Sequence, residues 1–143
     1  MGFTAFNYGA NIIAFEKENR KYAMTCAWAM QVDYDKILCL LGSQSVSGKA
    51  IKKGDIIGVS ALSNLQEAVA FKLGENHSDE VNKLEGIDYI FDDSAILIGG
   101  SSKTMKVEVI DVLHLEGIEE DNLVYGKVIK SIENNLPLYQ FNK

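Results

Sequence analysis

In the N-terminal half of the chain, apolar residues come in runs of strand length separated by turn-forming or charged residues. They predict four strands, Ala10–Glu16, Tyr22–Met30, Lys36–Leu41 and Asp55–Ala61, with EKENRK and VDYD as breaks. The pattern becomes helical in SNLQEAVAFKLG, where Leu65, Ala68, Val69 and Leu73 fall on one face, Ser63 or Asn64 can cap the start and Gly74 can end it. After the polar stretch GENHSDEVNKLEG, strands resume at Asp88–Phe91 and Ala95–Ile98. In KTMKVEVIDVLHLEG, Met105, Val107 and Val109 alternate with charges, and Ile110, Val112 and His114 then carry the opposite phase. Such a switch predicts a bulge, or a strand passing from one part of a barrel to another. Leu123–Ile132 supplies a last strand and LPLYQF a tail. Short strands around one clear helix predict a mainly β fold, a small barrel whose closure removes exposed edges.

The stretch KILCLLGSQSVSGKAI, from Lys36 to Ile51, runs from a buried strand into a Gly/Ser-rich loop. A triphosphate loop needs four residues between its glycines and a hydroxyl after the lysine, to curve the backbone round the phosphates and to reach Mg²⁺. Here five residues lie between Gly42 and Gly48 and Ala50 follows Lys49, which removes both details. What remains suits a monophosphate: the hydroxyls of Ser43, Ser45 and Ser47, the cation of Lys49, and free N–H groups if a helix starts at Ser47. Ser47 would cap a helix over Gly48–Lys53, with Gly54 left-handed at its end. The plainer alternative is a turn and cap with no ligand.

Composition narrows the class. A chain of 143 residues, 47% hydrophobic and 24% charged, is expected to form one domain, 1–143, with a core that needs no staples. A single proline and the absence of a low-complexity linker suggest no second domain. No apolar run approaches the length of a membrane span. The start MGFTAFNYGANII lacks a basic flank and a cleavage site, so the expected location is cytoplasmic, and Phe6 argues against myristoylation of Gly2. The net charge of −6 argues against a nucleic-acid groove, and Lys49, Lys52 and Lys53 read as a solvated face. Cys26 and Cys39 are too few and too far apart for a zinc site, so no metal is expected; Cys39 reads as a small core residue.

The order of these pieces resembles the flavin reductase-like family of FMN-binding split barrels, over nearly the whole chain. The resemblance is carried by YAMTCAWAMQVDYDKILCLLGSQSVSGKAIKKGDIIGVSALSNLQEAVAFKLG, and by GKVIKS and LPLYQF near the C-terminus. In order, these show a methionine-threonine-small-small segment (Met24–Trp28), an aspartate turn (Val32–Tyr34), a buried strand (Ile37–Leu41), a serine loop (Ser43–Ser47), a strand ending in Leu62-Ser63, and a helix (Leu65–Gly74). The resemblance implies a mainly β, FMN-binding split β-barrel with one or two short helices. Met24, Thr25, Cys26, Ala27 and Trp28 would lie along the flavin ring, Gln31 at its pyrimidine edge, and Ser43, Ser45, Ser47 and Lys49 at the FMN phosphate. A flavin gains negative charge on reduction, so its ring needs nearby backbone N–H groups, and small residues such as Cys26 and Ala27 let the backbone approach. Trp28 either stacks beside the ring or fills the barrel, the commoner fate of a single tryptophan. A redox role for Cys26 would need a cation or helix end to lower its pKa, and the sequence shows neither.

The implied function is an oxidoreductase that takes hydride from NADH or NADPH and passes electrons to free flavin, to a redox protein or to another acceptor. No side chain is required as acid or base, so no catalytic residue is named. Alternatives of other classes are a flavin-binding electron carrier that does not itself oxidise NAD(P)H, and a split barrel without flavin. The family's members usually pair, so a homodimer is expected. Two departures stand out. Prolines common after the aspartate turn are replaced by Tyr34-Asp35-Lys36, and a Gly-Asp-His triplet associated with the nicotinamide side is replaced by Glu120-Asp121-Asn122. His77 and His114 read as structural or solvent-facing.

Overall fold

The computed structural model describes residues 9–75 and 84–140, and every structural statement below refers to these. Nine strands and two short helices follow in the order β1 (Asn11–Lys17), β2 (Arg20–Cys26), β3 (Ala29–Asp33), β4 (Lys36–Leu41), α1 (Val46–Ala50), β5 (Ile56–Ala61), α2 (Glu67–Glu75), β6 (Tyr89–Asp92), β7 (Ala95–Ile98), β8 (Lys103–Leu113) and β9 (Asn122–Glu133). The mainly β expectation with two short helices is met. All pairings are antiparallel, in the order β3-β4-β9-β8-β5-β1-β7-β6, with β2 paired to β1. The expected hydrogen-bonded closure is not seen: the sheet is open, and β2 and β3 each have one unpaired edge. A partial substitute spans the gap between β2 and β4, where the Cys26 thiol lies 3.6 Å from the Leu40 carbonyl.

The core explains this curvature. Ile12, Ile13 and Ala14 of β1 have no solvent exposure, because the strand is a wall between two cores. On one side Ile13 and Phe15 join Cys26, Cys39, Leu41, Ile57, Val59, Val107 and Val124 inside the curled sheet. On the other, Ile12 and Ala14 join Leu62, Ala70, Leu73, Ile96 and Ile98 beneath α2 and β7. Each large side chain so buried contributes about 1.5–3 kcal/mol against leaving it exposed, which is why a strand buried on both faces organises the domain. Gly58 on β5 lets β7 approach: a Cβ there would sit 2.1 Å from the Ile96 carbonyl oxygen.

Several predicted elements shift. The expected strand Tyr22–Met30 is two, because the chain folds back at Ala27-Trp28, where the Ala29 N–H donates to the Ala27 carbonyl at 3.2 Å. The apolar run is continuous across this break, so periodicity does not reveal it. The phase switch in β8 is a pair of bulges: the register with β9 slips between Lys106 and Val107 and again between Val109 and Asp111. On α2 Ala70 and Leu73 are buried, as is Gln66 just before it, whereas Leu65 and Ala68, expected on that face, are exposed. The helix begins at Glu67, so Leu65 lies in the turn before it; the Ser63 N–H donates to Gln66 Oε1 at 2.9 Å, one half of a capping box. Gly74 does not end the helix, which runs to Glu75.

Candidate functional site

The serine loop links β4 to α1, and its first helical hydrogen bond runs from the Lys49 N–H to the Ser45 carbonyl. The N-cap is Ser45 rather than the expected Ser47: its Oγ accepts from the Gly48 N–H at 2.8 Å. The helix is consequently Val46–Ala50, not Gly48–Lys53, and Ser47 and Gly48 are buried within it. It ends because Ile51 turns extended, and Lys17 Nζ donates to the Ala50 carbonyl at 2.8 Å while pairing with Asp55. Gly54 is left-handed as expected, at φ +90°, but in the following turn, where the Asp55 N–H donates to the Lys52 carbonyl.

The structure brings two of the expected halves together. Ser45 Oγ lies 2.9 Å from Met24 Sδ, so the loop abuts β2 at Met24, the first residue of the expected ring-side segment. The loop's donors are nonetheless partly committed. The Ser43 N–H donates to Asp121 Oδ1 at 3.0 Å, and Asp121 in turn offers its carbonyl to His114 Nδ1 at 3.0 Å. Ser43 Oγ and the exposed Lys49 ammonium make no hydrogen bond or ion pair among the described residues, and space over Gly42 is open, since a Cβ there would meet nothing within 4 Å. Two polar groups beside open space fit an anionic group such as a phosphate.

The ring-side residues divide. Thr25 Oγ1 donates to the Ala70 carbonyl at 2.6 Å, tying β2 to α2. Cys26 is buried, its thiol 3.5 Å from the Trp28 carbonyl, so what it can offer a ligand is backbone rather than sulfur. The partners of that thiol among the described residues are the Trp28 and Leu40 carbonyls and the Cys39 thiol, none of them a cation. Cys39 is a core residue as expected, and its thiol is pushed well above the ordinary range by its hydrogen bond with Cys26 and by burial. Trp28 does not fill the barrel: it is 65% exposed, because the fold-back at Ala27 turns it out of the core. Gln31 is also exposed, and its amide donates to the Asp33 and Tyr34 carbonyls, closing the turn after β3.

Gln31 borders a cleft of about 240 Å³ at the mouth of the curled sheet, floored by Ile37, Val59, Met105 and Val128 and edged by Asn11, Lys103 and Ser131. Of the expected site residues, Gln31 alone lines it. Asp121, Asn122 and the cleft residues of β8 and β9 were not among the expected site residues. Glu120-Asp121-Asn122 did stand out as a departure, which was the available signal. His114 is exposed as expected, and His77 lies outside the described residues. No group of three or more His, Cys, Asp or Glu side chains suited to a metal ion occurs among the described residues. No helix there is long and apolar enough to cross a membrane.

Comparison with known proteins places this arrangement. The family model described as "Flavin reductase like domain" matches residues 3–143. No functionally curated protein sequence is detectably similar. Among solved structures, an NADH:FAD oxidoreductase of Streptomyces globisporus superposes with a TM-score of 0.83 at 18% identity, covering 95% of this chain and 82% of the other. That oxidoreductase has also been solved in complex with NAD and FAD fragments. An FMN-binding protein from Thermus thermophilus gives 0.80 at 15% identity, covering 94% and 77%. A nitrilotriacetate monooxygenase component B homologue from Mycobacterium thermoresistibile gives 0.77 at 27% identity, covering 91% and 71%.

Proposed function

The chain belongs to the flavin reductase-like domain family, and from that premise we propose that it is a flavin-binding oxidoreductase that holds FMN and accepts hydride from NADH or NADPH. The observation that carries this reading is the contact between Ser45 and Met24, which joins the serine loop to the β2 segment expected along the ring. The bound flavin supplies the two-electron chemistry; the protein supplies position and electrostatics. In this reading Ser43 and Lys49 bind the phosphate, and backbone groups of Thr25 to Trp28 lie along the ring. β2 pairs with β1 alone, so no other strand covers its second edge, which supports this placement. Electrons then pass to free flavin, a redox protein or another acceptor.

A homodimer forms part of the proposal. Trp28, Met30, Val32 and Tyr34 expose a row of apolar side chains along edge strand β3, and a second copy would cover it. A second reading, an electron carrier that does not itself oxidise NAD(P)H, draws support from Asn122 standing where the family often has histidine.

Purified protein should carry, or bind on titration, a flavin with its visible absorbance band; a colourless protein that does not bind FMN would sink both readings. Anaerobic mixing with NADH and NADPH separates them, since failure of the bound flavin to bleach rejects the reductase. Replacing Ser43 and Lys49 with alanine should weaken FMN retention more than riboflavin retention; equal losses for the two flavins would sink the phosphate assignment.

A further inference from the structure

The last pair of the β4–β9 ladder is Leu41 with Asn122, and beyond it the two chains part. β4 passes through Gly42 into the serine loop, and β9 is entered from an exposed turn over residues 115–120. One bond is still made past the end of the ladder, and a side chain makes it: Asp121 Oδ1 accepts from the Ser43 N–H at 3.0 Å. Asp121 is itself held by its backbone. Its N–H donates to the Ile118 carbonyl and its carbonyl accepts from His114 Nδ1, both at 3.0 Å. The carboxylate is thus presented by a half-buried residue fixed on both sides, at the edge of an otherwise exposed turn.

The residue it grips is one the phosphate reading uses. Ser43 carries a hydroxyl that makes no hydrogen bond among the described residues, and a Cβ on the preceding Gly42 would meet nothing within 4 Å. A residue that follows a glycine beside open space has little neighbouring bulk to fix it, and a mobile donor must be ordered when a ligand binds. The Asp121 bond ties this backbone to a residue 78 positions further along the chain, at the entry of β9.

We propose that Asp121 is a positioning residue: its carboxylate holds the Ser43 amide, and so presents the Ser43 hydroxyl to the flavin phosphate in the pose that binding needs. This rests on the flavin reading above. Asp121 acts through Ser43 rather than on the ligand. Its acceptor oxygen is the useful part, whereas its negative charge opposes a phosphate nearby. Substitution separates the two.

The test compares FMN with riboflavin, which lacks the phosphate, by fluorescence-quenching titration of Asp121→Ala and Asp121→Asn. Asp121→Ala removes the acceptor and should weaken FMN about tenfold while riboflavin stays within about twofold, because only FMN needs the loop ordered. Asp121→Asn keeps an acceptor oxygen without the charge, so its FMN affinity should equal or exceed that of the wild type. Equal losses for both flavins in Asp121→Ala, an FMN affinity that it leaves unchanged or raises, or an Asp121→Asn variant as weak as Asp121→Ala would overturn the proposal. If alanine at Ser43 and Lys49 weakens FMN selectively and Asp121→Ala does not, the phosphate reading stands and this assignment alone is rejected. Wild-type protein that binds neither flavin would reject the flavin reading itself, and this assignment with it.

Discussion

Strands β1 and β3 are both short and apolar, yet the fold treats them in opposite ways. β1 has three hydrogen-bonded partners, β2, β5 and β7, and Ile12, Ile13 and Ala14 are wholly buried. β3 pairs with β4 alone and leaves Met30 61% exposed. Burial on both faces makes a strand necessary to the fold, whereas an apolar row on a free edge is surface that one chain does not cover. The first is where stability resides and the second is where association is expected.

Gly58→Ala should break this contrast most strongly. The added Cβ would collide with the backbone of Ile96, which has no flexible end to move, so the β1–β5–β7 wall must open. The variant is expected to lose native circular dichroism at room temperature; a folded variant with an unchanged urea midpoint would contradict the packing. Ile13→Ala, which leaves a void in the inner core, should cost about 2–5 kcal/mol in urea unfolding.

At the ring-side segment the effect falls. Thr25→Val removes the hydrogen bond to Ala70 while keeping the shape, and should cost about 1 kcal/mol, with faster amide exchange confined to α2. On β3, Met30→Ser should change unfolding by no more than about 0.5 kcal/mol at a concentration dilute enough for a monomer. The same substitution should weaken self-association in sedimentation, which an unaffected sedimentation profile would refute.

The smallest effect is a pH dependence on the far side of β8. Lys106 pairs with both Asp92 and Asp93 and, through its hydrogen bond, holds the Asp92 carboxyl below its ordinary value. A carboxyl lowered by folding adds stability above its unfolded pKa and loses it as pH falls through the folded one. Lys106→Met should therefore flatten the decline in stability below about pH 4, read from melting temperatures across an acid series. An acid limb identical to wild type would show the pair to be inert, as exposed pairs often are.

The sequence showed strands well where burial is regular. Ala95–Ile98 and Lys36–Leu41 are read to the residue, and the alternation in β8 revealed its bulges. It failed where local hydrogen bonds outweigh pattern. Ser45 and Ser47 are equivalent as cap residues in a string of letters, and the choice depends on the loop's approach to Met24. Trp28 reads as core until the fold-back at Ala27 is known. For the site, the serine loop and the β2 segment were legible because local residue types mark them. Asp121 and Asn122 were not, since they reach the loop from 78 positions further along the chain, as the Ser43–Asp121 bond shows.

One contact made earlier carries a consequence for ligand binding. Lys17, at the end of β1, grips both the last carbonyl of α1 and the carboxylate of Asp55, which itself accepts from the Lys52 N–H. The loop at the other end of α1 is thereby fastened to the most deeply buried strand of the molecule. A ligand reaching it finds the chain already frozen, so little contact energy is diverted into ordering. Association should then be fast and single-phased, and the loss of one donor should appear almost undiluted as a faster departure of the ligand.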